Sequence, residues 1–79
     1  MANAEKILAR MRNNPRDWRI EDLKVLAIRF GIEFRQSGTS HVGFSHPVGG
    51  RVSVPAAKPI LPIYIKQFLA LLDRMAESG

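Results

Sequence analysis

The 79-residue chain has no cysteine, which excludes disulfides, thiolate nucleophiles and cysteine-ligated zinc, and fits a reducing cytoplasm as the expected location. It also lacks a long apolar run. The longest, Ile60 to Ile65, is six residues with Pro62 inside it, against the roughly 20 needed to span a bilayer, so no membrane segment is expected. Met1 to Asn14 is amphipathic and charged, unlike a secretory signal. Acidic side chains are scarce, 7 against 12 basic ones, leaving a net charge of +5. That balance favours an anionic partner, nucleic acid first. No glycine-rich loop leads from a strand into a helix, and no nucleophile triad or ligand cluster is apparent, so neither a cofactor nor a metal is expected.

Helical spacing appears first. Ala4, Ile7, Leu8 and Met11 fall at i, i+3, i+4 and i+7, which predicts a helix from Asn3, its N-cap, to Asn13. Asn14-Pro15 breaks it, because the residue before proline leaves the α region. A second helix is expected from Ile20 to Phe30, with Glu21 and Asp22 in its first turn favouring the dipole and Gly31 ending it. It carries two apolar stripes, Ile20, Leu23, Ala27 and Phe30 for a sheet, and Val25 and Ile28 for the first helix. The first helix (1–14) is thus an added layer on a 20–72 core within one domain, 1–79. Pro62 suits the first turn of a third helix striped by Ile65, Phe68, Leu69, Leu72 and Met75. Trp18, after a turn, and Tyr64, at a helix start, read as packing residues.

Between the second and third helices the period changes to two. Ile32 to Gln36, His41 to Ser45 and Arg51 to Val54 alternate apolar and polar, three strands joined by turns at Gly38-Thr39-Ser40 and around Gly49-Gly50. If Ile32, Phe34, Val42, Phe44, Val52 and Val54 face a core, then Glu33, Arg35, Ser37, His41, Gly43, Ser45, Arg51 and Ser53 face away from it. The helices must cover the first face, giving an α+β two-layer domain with a three-stranded antiparallel sheet. The second face collects the polar groups. An imidazole can both accept and donate a proton, so His41 suits acid–base chemistry. Arg35 and Arg51 are natural cations for a phosphate, with Lys58 or Lys66 extending the track. His46 lies on the opposite parity, which argues against a histidine pair holding a metal.

The second helix ending at Gly31-Ile32, the run Arg35-Gln36-Ser37-Gly38-Thr39-Ser40-His41, the strand end Val52-Ser53-Val54-Pro55 and the closing amphipathic helix together resemble the HicA toxins of bacterial type II toxin-antitoxin systems. The resemblance covers about Ile20 to Leu72. It implies a double-stranded-RNA-binding-domain-like fold, with the first helix added, and the activity of a ribosome-independent mRNA endoribonuclease that is silenced by a HicB antitoxin. His41 matches the family's catalytic histidine, and Ser37, Gly38 and Ser40 match the turn that presents it. Two family histidines are replaced, one by Val42 and one by Ala57. With Arg35, Arg51 and Lys58 as RNA contacts, the expectation is metal-independent cleavage of single-stranded mRNA. The rival readings are a non-catalytic RNA-binding module and a protein-interaction domain.

Overall fold

The computed structural model describes residues 4–36, 40–56 and 58–78. Its elements run α1 (Ala4–Asn13), α2 (Ile20–Phe30), β1 (Glu33–Gln36), β2 (His41–His46), β3 (Gly50–Pro55) and α3 (Pro62–Ser78). The strands form one antiparallel sheet in the order β1-β2-β3. This is an α+β domain, and the helix–three strands–helix order from α2 to α3 is the one a double-stranded-RNA-binding-like fold would have. The expected N-cap Asn3, the turn residues Ser37, Gly38 and Thr39, and Ala57 lie outside the described residues.

Local chemistry fixes the ends of α2. The backbone N–H of Arg19 donates to the Asp22 carboxylate at 3.0 Å, and the Asp22 N–H donates back to the Arg19 carbonyl at 3.0 Å. Two donors that a helix start leaves unsatisfied are thereby answered. At the other end Gly31 takes φ 71°, a left-handed conformation that costs glycine little. Ile32 N–H then reaches back to the Ala27 carbonyl at 2.8 Å. This closure buries Ile32 and so sets the phase of the strand that follows.

The alternation of β2 and β3 places Val42, Phe44, Val52 and Val54 in the core, where they meet Leu23, Leu26, Ile65, Phe68 and Leu71. Phe44 and Phe68 pack edge to face with ring centroids 5.1 Å apart. Phe34 departs from its expected burial and remains 37% exposed. It sits on an edge strand of four residues, and among the described residues no strand covers its outer flank. Phe44 lies beside it at 5.9 Å between centroids, and Lys24 Nζ lies over its ring at 5.8 Å.

The helical faces also differ in part from the sequence pattern. The buried residues of α2 are Ile20, Leu23, Leu26 and Ala27, one arc of about 120° at 100° per residue. Ile28, expected against α1, is 73% exposed, because Leu26 widens that arc on the side away from Ile28. α1 is more than an outer layer. Its Met11 is fully buried in the shared core, and ion pairs tie the helix to both others, Glu5 to Arg29 and Arg12 to Asp73, each at 2.8 Å. α3 begins at Pro62 as expected and runs on to Ser78, with Leu71 added to its buried stripe. Trp18 is half-buried against the core. Its indole N–H donates to the Asn14 carbonyl at 2.6 Å, and its own carbonyl accepts from Ile60 N–H at 2.9 Å, which fastens the α1–α2 turn to the chain entering α3.

Candidate nucleic-acid interface

The sheet register assembles the open face row by row. Glu33 pairs with Ser45 and Ser45 with Arg51; Arg35 pairs with Gly43 and Gly43 with Ser53; His41 pairs with Pro55. All the residues of the first two rows have the parity opposite to Val42 and Phe44, and so does His41. They line a broad concavity of about 840 Å³, with Ile32 and Phe34 at its β1 margin. Two guanidinium groups, one imidazole, one carboxylate and two hydroxyls therefore share a surface built on backbone pairing, where strand geometry rather than loop conformation sets their spacing.

His41 begins β2 and is exposed, as its parity predicts. The carbonyl of Ser40, just before it, accepts from Ala56 N–H. That bond carries the β2–β3 pairing past the His41 row and fixes the backbone on which the imidazole stands. Arg35 and Arg51 are exposed on the two outer strands, one on each flank of the central strand that carries His41.

The remaining expected contacts are distributed differently. Lys58 is exposed in the connection between β3 and α3 and does not line the concavity. Ser40 is exposed beside His41 and likewise outside the lining, while Ser37 and Gly38 lie outside the described residues. Tyr64 is half-buried against the core. His46 has a local role: its Nδ1 accepts from Val48 N–H at 3.0 Å, bracing the β2–β3 turn from the strand parity opposite to His41. Among the described residues, no group of three or more His, Asp or Glu could hold a metal ion, and no helix is long and apolar enough to cross a membrane.

Glu33, Gly43 and Ser45 line the face although the sequence motif assigns them no role. Their alternation already put them there. For Gly43 a further signal was available, since glycine inside a strand weakens it and calls for a local reason. Compared with protein-family models, curated proteins and solved structures, the chain matches none, so the functional reading rests on the residues of this face.

Proposed function

We propose that the chain is a HicA-like endoribonuclease that cleaves single-stranded mRNA through acid–base chemistry at His41. The observation that supports the reading most is the placement of one exposed imidazole with Arg35 and Arg51 in a single concavity on the uncovered sheet face. The imidazole takes the proton of a ribose 2′-hydroxyl as the 2′-oxygen attacks the adjacent phosphorus. The bond from phosphorus to the 5′-oxygen breaks, and the imidazolium returns the proton to that oxygen, leaving a 2′,3′-cyclic phosphate and a 5′-hydroxyl. Arg35, in the row next to His41, offsets the charge that gathers on the phosphate oxygens, and Arg51, one row further along, extends the positive track for the RNA backbone. The partner that silences such a face is an acidic, HicB-like antitoxin covering it.

A second reading, a non-catalytic RNA-binding module, draws on the face's single imidazole. His41→Ala separates the two. Because His41 is exposed, the substitution should change stability by no more than about 0.5 kcal/mol. It should lower RNA cleavage in EDTA by about 10²- to 10⁴-fold while RNA binding persists. Cleavage by the variant at the parent's rate removes His41 from the chemistry. Intact RNA with the parent protein, together with tight and salt-sensitive binding, selects the module instead.

A further inference from the structure

Gly43 stands at the centre of the central strand, where a side chain would ordinarily strengthen the sheet. Three structural reasons for a glycine can be tested, and none applies. Its φ is not in the left-handed region, which among the described glycines is occupied by Gly31 and Gly50. It is not a bulge, because the pairing runs without a break from Arg35 through Gly43 to Ser53, and on either side of that row. It is not a tight contact either: among the described residues, a Cβ built there meets only the Arg35 carbonyl oxygen, at 4.0 Å. The remaining reason for a strand glycine is the close approach of something outside the fold.

The missing side chain belongs to the open face, so its absence bares the peptide backbone in the floor of the concavity. Arg35 and Ser53 flank it on the neighbouring strands, each about 4.8 Å away across the sheet, and His41 and Ser45 stand about 6.6 Å away along β2. We infer that Gly43 is the floor of a nucleotide subsite, on which one unpaired base and its ribose lie flat against the bare backbone beside the phosphate held near His41. A flat seat accepts any base, because every base has a π-face. Arg35 and Ser53 supply donors at its two sides. For the identity of the ligand this rests on the ribonuclease reading, and it adds a residue that selects for unpaired RNA by leaving room rather than by making a bond.

The test is Gly43→Val, with Gly43→Ala as the graded step, each placed in a His41→Ala background so that the RNA survives the measurement. Binding of a fluorescently labelled single-stranded RNA oligonucleotide is followed by anisotropy in EDTA, and thermal unfolding is recorded on the same samples. Valine should weaken binding by at least about tenfold, the scale of one lost base contact, and alanine by less. The unfolding midpoint should stay level or rise, since valine suits a strand and meets open space. Undiminished RNA binding by Gly43→Val overturns the inference, as does a fall in the midpoint, which would show that the glycine is needed for packing. Failure of the parent to bind single-stranded RNA also overturns it. If the parent binds RNA but does not cleave it, and Gly43→Val loses that binding, the subsite stands and the ribonuclease reading falls.

Discussion

Gly49→Ala should destabilise the domain, although Gly43→Ala, within β2 of the same hairpin, should not. Gly49 lies in the β2–β3 turn with its backbone pressed against α3. A Cβ added there collides with the Leu71 side chain and comes within 2.9 Å of the Leu71 carbonyl and 3.0 Å of Met75 Cγ. A flexible side chain can yield to such a contact, but the Leu71 carbonyl belongs to the backbone of α3, and the Leu71 side chain is itself fully buried. The turn cannot retreat without cost either, because Arg74 Nε donates to the Gly49 carbonyl at 2.6 Å. Overpacking of this kind costs about 1–3 kcal/mol, offset by roughly 0.4–1 kcal/mol from the reduced entropy of the unfolded chain. With backbone of α3 as the obstacle the cost belongs in the upper half of that range, about 2–3 kcal/mol, and the net loss of roughly 1–2.6 kcal/mol lowers the unfolding midpoint of a domain of this size by about 4–20 °C. Calorimetry or far-ultraviolet circular dichroism during a thermal ramp measures it. A variant as stable as the parent would show that the turn does not dock on α3 as described.

Two further substitutions test the helical layer and the open face. Met11→Ala should cost about 2–5 kcal/mol in urea denaturation, the range for truncating a buried methionine, and a loss below about 1 kcal/mol would demote α1 to an appendage. The double variant Arg35→Ala/Arg51→Ala should keep its fold and make the dependence of log K for single-stranded RNA on log salt shallower by about 1.4, two phosphate contacts at roughly 0.7 each; an unchanged slope would place the phosphates elsewhere.

The parts of the fold legible in the sequence are those that local rules enforce. Gly31 ends α2 because the chain needs a left-handed residue there, Pro62 opens α3 because a first turn tolerates a missing N–H, and the period-two alternation of β2 and β3 fixes which side chains are buried. What was illegible depends on neighbours that no local rule names. Phe34 has the correct parity for burial, yet only the strand order reveals that it sits on an edge. Ile28 looks like half of a second stripe until Leu26 claims the side of α2 that packs. Met11 reads as one residue of an amphipathic stripe, and only the assembled core shows it wholly enclosed. For the candidate site the same division holds: parity places His41, Arg35 and Arg51 on one face, but it stops at Pro55, so it could not assign Lys58, which follows in an irregular connection. Gly43 signalled, as a glycine inside a strand, that some local reason was needed, but which reason could be read only once its row partners were known.

On the proposed reading, the arrangement of that face also constrains how protons move. Cleavage by 2′-oxygen attack needs one proton removed and one delivered. Besides His41, the carboxylate of Glu33 is the other acid–base side chain among the described residues that line the concavity, and it occupies the Ser45 row. Ser45 lies four residues from His41 along β2, about 13 Å at the rise of a strand, beyond the span of a single phosphate. Glu33 therefore does not share the scissile phosphate with His41. It stands instead opposite Arg51 across Ser45, where it tempers the positive field at that end of the face. With Arg35, in the Gly43 row, as the guanidinium nearer the scissile phosphate and Arg51, in the Ser45 row, placed for the backbone beyond it, the imidazole serves in turn as base for the 2′-hydroxyl and as acid for the departing 5′-oxygen, carrying the same proton from one to the other. A site of this kind loses both transfers with one substitution, which is why the effect of replacing His41 belongs on catalysis rather than on binding.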